Sequence, residues 1–346
     1  MNKFKKLLNA SLLISAFSLM VVLVLTVDSN TIDAIMGIKY EYIIVAAALH
    51  VFSYVIWGMR TKFMCQALGH NIDISKSTKI VISSTLAAAV TPSSAGGEPL
   101  RIHLLHRNKM PIGRATAVVI GERLMDAILL LSMVPFALFI FSDMLSNYEL
   151  DAVFIIAEIL VILVFALIIY GMWKPEQAKR PVHFIVHRVA HIFGKKTEDA
   201  LSPILARVDM EMDHFHNSIW MFLTEGRKGL LYGAVCTILF WIVEYSMLPV
   251  ILMGLDQYPS LIVVFAAQVL LSIIIVVPAT PGASGIAEFG ATSLFSVFVS
   301  SSLLGITVIA WRALTFYMNI LVGSFVSIKI LKDTDAIGKL LDESNI

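Results

Sequence analysis

Three arginines and four carboxylates stand in stretches where so apolar a chain should carry no charge. Glu98 and Arg101 follow the stretch Thr91-Pro92-Ser93-Ser94-Ala95-Gly96-Gly97, and Glu122, Arg123 and Asp126 fall inside an apolar run. Glu288 follows a second stretch, Thr280-Pro281-Gly282-Ala283-Ser284-Gly285, and Arg312 lies inside the last long apolar run. A charge within hydrocarbon costs about 2.5–3.5 kcal/mol on insertion scales, so such groups face a partner or an aqueous pathway. Guanidinium groups offset phosphate or carboxylate charge, and carboxylates bind a cationic group or relay a proton. Glu98, Arg101, Glu122, Arg123, Asp126, Glu288 and Arg312 are therefore the candidate substrate-binding residues. The competing reading is a set of internal ion pairs that fix helix register. Asp126 is one helical turn from Arg123, which makes that pair easy. Arg312 has no acid within a turn of its own span, leaving Glu288 and Glu244 as its nearest candidates. Glu158 and His50 stand alone and read as packed or snorkelling residues.

No enzyme motif competes. Gly282-Ala283-Ser284-Gly285 lacks the spacing of a nucleophile elbow, and neither a phosphate-binding glycine loop with lysine nor a His-Glu-x-x-His helix occurs. His183, His187 and His191 share a helix face but lack a third ligand of another kind, so they read as a wet polar face rather than a metal site. No catalytic residue, metal or cofactor is assigned, and enzymatic activity stays open.

These charges need elements to hold them. At 58% hydrophobic and 15% charged residues, with a mean hydropathy of +0.83, the chain is a polytopic membrane protein. A net charge of +1 argues against nucleic acid. The two cysteines, Cys65 in an expected cytoplasmic loop and Cys236 in mid-span, form no disulfide framework. The basic start at Lys3, Lys5 and Lys6 leads into an apolar run over 7–27 without a cleavage site, which reads as a retained first span. Further full spans are expected over about 41–59, 115–141, 152–173, 229–253 and 303–330. The apolar stretches 78–90, 261–277 and 284–299 are too short to cross about 30 Å of hydrocarbon, which takes about 20 helical residues.

Two re-entrant helical hairpins account for those short stretches. Pro92 and Pro281 would end the entering helices, and Gly96, Gly97, Gly282 and Gly285 would permit the tight turns. The amino ends of the returning helices, near Gly97 and Ser284, would present free backbone N–H groups suited to an anion. The second hairpin repeats the first. Both carry Thr-Pro-x-x-x-Gly, and the spacing from Pro92 to Arg123 equals that from Pro281 to Arg312. With six crossings, every Lys and Arg except Lys39, Arg123 and Arg312 falls on the cytoplasmic side, which also places both termini there. The two hairpins then enter from opposite sides. The expectation is an all-α membrane bundle, a single domain over 1–346, with six full spans and two re-entrant hairpins in an inverted repeat. The first repeat covers about 41–141 and the second about 229–330, separated by a charged cytoplasmic insertion over about 174–228. An amphipathic interfacial helix over 181–193 and a helix with one apolar seam over 201–222 are expected within that insertion.

The motifs Pro92-x-x-x-Gly96-Gly97-Glu98-Pro99-x-Arg101, Gly121-Glu122-Arg123-x-x-Asp126 and Pro281-Gly282-x-x-Gly285-x-x-Glu288 give the chain a resemblance along nearly its whole length. It resembles the lysylphosphatidylglycerol-synthase transmembrane-region family, flippase-like integral membrane proteins also grouped as YbhN-type. In bifunctional members of that family, the membrane region is associated with moving aminoacylated phospholipid between leaflets. A separate soluble domain transfers the amino acid from charged tRNA. Because the chain ends shortly after its last expected span, the resemblance implies the membrane region alone. The function expected from it is translocation of an anionic or aminoacylated phospholipid, or a lipid-linked head group, across the cell membrane. Two alternatives stay open: a membrane component of a lipid head-group transferase, and a scaffold subunit for a glycosyltransferase. The partners expected are membrane lipid, with a separate lipid-modifying enzyme and a second copy of the chain as further candidates.

Overall fold

The computed structural model describes residues 2–27, 31, 35–91, 96–142, 226–276 and 280–343, with isolated positions between 159 and 224. Pro92, Glu158, the histidines of the insertion and its interfacial helix lie outside the described residues. So, but for isolated positions, do the span expected over 152–173 and the seam helix over 201–222.

The described residues are helical, without a strand. In chain order they form α1 (Asn2–Thr26), α2 (Tyr40–Ala67), α3 (Ile74–Val90), α4 (Gly97–Arg107), α5 (Ile112–Ser142), α6 (Arg227–Gly254), α7 (Leu261–Val276), α8 (Ile286–Phe295) and α9 (Ser301–Arg312). A π-helical segment, Ala313–Tyr317, then leads into α10 (Met318–Glu343). Among the described residues, five apolar stretches are long enough to cross a membrane: Leu8–Thr26, Tyr40–Ala67, Ile112–Phe141, Arg227–Gly254 and Ser301–Ile330. Large apolar side chains such as Phe17, Phe136, Phe139, Leu321 and Phe325 point outward from them. In water that surface would be a liability, whereas in a bilayer it is the face the solvent prefers. The protein is an integral multi-pass membrane protein.

The second span is longer than expected. Instead of ending near Met59, α2 continues to Ala67 and carries Arg60 and Cys65 into the bundle, both fully buried. The hydropathy drop at Arg60 looks like a helix end, but acidic partners on α5 accommodate that charge inside. Cys65 therefore packs in the core against Met110, with 3.9 Å between the sulfurs, rather than in a loop. The helix α3 begins before its apolar stretch because Asp73 caps it, accepting from Ser75 N at 3.0 Å.

Both short helices stop at a break. At the first, Thr91 Oγ1 accepts from Gly96 N at 2.8 Å and donates to Ala87 O, which turns the chain back. Gly97 then lets α4 lie close on α3, since a Cβ there would sit 3.1 Å from Ser84 O. At the second, Gly282 (φ +61°) and Gly285 (φ +89°) take up left-handed backbone. The two breaks meet: Gly282 N donates to Thr91 O at 3.0 Å. The approach is so close that a Cβ on Gly282 would lie 2.4 Å from Ala89 O.

Around this junction α2 and α6 form the most extensive helix pair, α3 packs on α10, and α7 packs on α5. The short α4 bridges α3 and α5, as α8 bridges α7 and α9, while α1 lies against α8, α9 and α3.

Candidate functional site

The main concentration of buried charge lies between α2, α4, α5 and α6. Arg60, Arg101 and Glu122 are completely buried and Asp126 nearly so. Arg60 grips Asp126 with both terminal nitrogens, Nη1 to Oδ1 at 2.6 Å and Nη2 to Oδ2 at 3.3 Å, and Nη2 also donates to Glu122 Oε2 at 3.4 Å. Arg101 reaches the same Glu122 oxygen through Nη2. Arg123 adds a bond to Asp126 Oδ2 at 3.3 Å, and its Nε lies 2.8 Å from Glu98 Oε1, a close ion pair whose N–H points off the contact. Three cations thus balance Glu98, Glu122 and Asp126 in a setting where unpaired charge is expensive.

Trp57 stands at the centre. Its ring centroid lies 5.5, 5.0 and 5.4 Å from the guanidinium carbons of Arg60, Arg101 and Arg123, and its Nε1 donates to Glu122 Oε2 at 2.9 Å. An aromatic face attracts cations electrostatically and holds the three together against their mutual repulsion. Trp241 Nε1 donates to Asp126 Oδ1 from the other side at 3.0 Å.

Part of the network is left without partners. Arg101 Nε and Nη1, Arg60 Nε and Glu122 Oε1 are buried without a hydrogen-bond partner among the described residues. Buried donors of this kind are rare in finished structures and mark the place where water or a ligand would bind. Arg123 and Glu98 are the exposed members, with side chains 37% and 30% accessible. An apolar groove of about 470 Å³ runs alongside between α5 and α6, with Leu124, Met125, Ile128 and Phe222 in its walls. Its volume is that of a small-molecule cleft. Thr237 belongs to both places, lining the groove and accepting from Arg60 Nη1 at 3.2 Å.

A second, smaller cluster secures the other break. Arg312 Nε donates to Glu288 Oε1 at 2.9 Å and Arg312 Nη2 to Gly282 O at 2.9 Å, with the Phe316 ring 4.2 Å away. Ser15 Oγ donates to the same Glu288 oxygen at 2.5 Å, and Glu288 Oε2 accepts from Gly285 N at 2.6 Å. The amino end of α8, where free N–H groups were expected, is thus capped by its own Glu288. Of the two candidate partners for Arg312, the structure selects Glu288. The other, Glu244, faces His50, whose Nδ1 lies 3.2 Å from Glu244 Oε1, so His50 does not stand alone.

The two breaks carry matching ion pairs. The acid on each returning helix meets the arginine of the span that follows: Glu98 with Arg123 at 2.8 Å, and Glu288 with Arg312 at 2.9 Å. All seven candidate substrate-binding residues therefore lie in two clusters, five in the first and two in the second. Sequence reasoning missed Arg60, assigned to a loop, along with Trp57 and Trp241. The available signal was the run from Met59 to Cys65, which has no proline, glycine or other loop punctuation to stop α2 at Arg60.

A family model described as "Lysylphosphatidylglycerol synthase TM region" matches residues 9–323. The chain is 29% identical to a UPF0104 membrane protein of Archaeoglobus fulgidus, over 86% of this chain and 89% of the relative. It is 24% identical to one of Methanothermobacter thermautotrophicus (83% and 84% covered) and 21% identical to one of Methanocaldococcus jannaschii (88% and 89%). No solved structure matches the chain.

Proposed function

The chain belongs to the lysylphosphatidylglycerol synthase TM-region family, and from that premise we propose that it moves the charged head group of a membrane lipid between leaflets. The observation that carries this reading is Arg101, fully buried, held through Nη2 by Glu122, with two further donors, Nε and Nη1, that have no partner among the described residues. Those donors suit the oxygens of a phosphate or carboxylate. Arg60 and Arg123 add positive potential around them, while Glu98, Glu122 and Asp126 supply a place for a cationic group such as an aminoacyl amine. The apolar groove sharing Thr237 suits the tails of the same molecule.

Transport also implies a fold whose halves can rock about the site. Six full spans and two re-entrant hairpins in an inverted repeat form our reading of the topology, with repeats over about 41–141 and 229–330. The exchanged packing of α3 on α10 and α7 on α5 supports it, as do the matched pairs Glu98–Arg123 and Glu288–Arg312. We place both termini on the cytoplasmic side of the cell membrane, following the lysine and arginine bias.

The test is reconstitution into vesicles doped with acyl-labelled phosphatidylglycerol or lysylphosphatidylglycerol, with inner-leaflet label followed by its access to an external quencher. Wild-type protein should accelerate exchange over protein-free vesicles. Arg101→Gln should lose at least tenfold of that acceleration while Cys65 and Cys236 stay shielded from thiol reagents, which certifies the fold. Absence of acceleration with anionic, zwitterionic and aminoacylated lipids alike, with and without a pH gradient, overturns the proposal. A new lipid product in vesicles without soluble partners would assign a transferase instead.

A further inference from the structure

The cluster around His50 takes no part in the arginine site, and its hydrogen bonds account for one extra proton. Asn319 Nδ2 donates to Thr315 O at 2.5 Å, which turns the amide oxygen toward α2. That oxygen can only accept, and Tyr54 donates its single hydroxyl proton to it. His50 Nε2 lies 3.3 Å from the same amide oxygen and 3.0 Å from the Tyr54 hydroxyl oxygen. With both neighbours acting as acceptors, Nε2 must carry a hydrogen. On the opposite side of the ring, Nδ1 lies 3.2 Å from Glu244 Oε1. A bare Nδ1 against an ionised carboxylate would set lone pair against lone pair. The contact therefore holds a second proton, either on Nδ1 as imidazolium beside carboxylate or on Glu244 as a carboxylic acid donating to Nδ1.

Both forms are neutral overall, and removing the proton leaves a negative charge among neutral neighbours. Among the described residues, the pair is faced by Ser53 and Tyr54 from α2, Tyr245 from α6 and Asn319 from α10, with Thr85 from α3 against Tyr54. Gln268 and Ser272 from α7 and Thr315 from the π segment share the cavity on which Glu244 opens. None of these is a cation. By contrast, the buried carboxylates Glu122, Asp126 and Glu288 each face an arginine. The cavity measures about 100 Å³, enough for several waters, and its hydroxyl and amide groups can hold them. Glu244 is the accessible member of the pair, its side chain 17% exposed against 4% for His50.

We propose that His50 and Glu244 form a reversible proton-binding site that exchanges with the cavity between α6, α7 and the π segment. The proton passes from a hydronium ion or buffer acid in the cavity to the Glu244 carboxylate, or onward to His50 Nδ1, and leaves by the same route. Because release leaves an uncompensated charge beside a cavity of only about 100 Å³, it is favoured by a shift of the helices that widens the access of water to Glu244. Asn319 follows the π segment and Arg312 precedes it. A shift at the proton site is thereby joined through one short element to the contact between Arg312 and Gly282. That the pair binds a proton is independent of lipid transport, whereas its use as a coupling proton rests on the transport reading.

Infrared difference spectroscopy of the purified protein in lipid nanodiscs, titrated from acid to alkaline pH, tests this directly. The expected result is a carboxylic-acid or imidazole band that titrates as one proton, disappears in Glu244→Gln and moves in Glu244→Asp, which keeps a carboxylate and guards against misfolding. An identical titration in wild type and Glu244→Gln, or no such band, overturns the site. In vesicles carrying an entrapped pH dye, Glu244→Gln should abolish lipid-linked proton uptake while retaining lipid binding at Arg101. A titrating band in a protein that moves no lipid would sink the transport reading and leave the proton site standing.

Discussion

Arg60 offers the sharpest quantitative test of the buried charge network, because its partners on α5 and α6 are defined atom by atom. Replacing it with methionine keeps the apolar bulk but removes two bonds to Asp126, one to Thr237 and the contact with Glu122. Asp126 would retain Trp241 Nε1 at 3.0 Å and Arg123 at 3.3 Å, and the network would hold three anions against two cations. Breaking a buried pair from one side costs about 3–5 kcal/mol, because the abandoned charge remains desolvated. Asp126→Leu should cost a similar amount from the other side. The double variant Arg60→Met/Asp126→Leu removes both charges, leaving only neutral or charged donors short of a partner, at about 1–2 kcal/mol in all. The double change should therefore be milder than either single one, with a coupling energy of at least about 2 kcal/mol. Equilibrium unfolding in mixed micelles of rising SDS content measures this, read by thiol labelling of Cys65 and Cys236, the only cysteines and both buried. An Arg60→Met cost below about 1 kcal/mol, or a double variant equal to the sum of the singles, would refute the view of a desolvated, mutually compensating network.

Three further variants probe the breaks and the surface. Gly282→Ala should abolish stable expression, since its Cβ would strike Ala89 O at 2.4 Å and the Phe316 ring at 2.6 Å. Gly285→Ala meets nothing closer than 3.5 Å, so it should cost only the backbone strain of about 1–3 kcal/mol, measured by the same labelling assay. At the surface, the hydrogen bond from Lys39 to Asp256 raises the pKa of the ammonium above its ordinary value. The contribution is then complete at neutral pH and is lost only as alkali deprotonates Lys39 through that raised value. Lys39→Gln should leave stability at neutral pH and high salt unchanged, and should remove any alkaline dependence of the melting temperature that wild type shows at low salt.

Much of the site was legible because charge inside an apolar chain is conspicuous. Glu98, Arg101, Glu122, Arg123 and Asp126 stood out as candidates from their place beside the first break and inside a span. The equal spacing from Pro92 to Arg123 and from Pro281 to Arg312 pointed to a repeat, but not to the pairing of Glu98 with Arg123, which the fold adds. What stayed hidden was pairing between helices far apart in sequence. Arg60 looked like the edge of a span because hydropathy registers its charge and cannot register the two carboxylates on α5 that accommodate it. His50 looked solitary for the same reason, and Glu244 was weighed only as a partner of Arg312, because their contact depends on α2 lying against α6. The capping of α8 by Glu288 was missed because a carboxylate after a glycine-rich break can either bind a ligand or satisfy its own helix, and spacing does not distinguish the two.

The contact between Gly282 N and Thr91 O is a single peptide hydrogen bond spanning the two chain reversals. A bond of this type contributes about 0.5–1.5 kcal/mol net, comparable to one or two multiples of thermal energy. Its loss alone would cost little, so the two breaks are kept in register mainly by shape: Gly282 lies so close to Ala89 that no side chain fits between them.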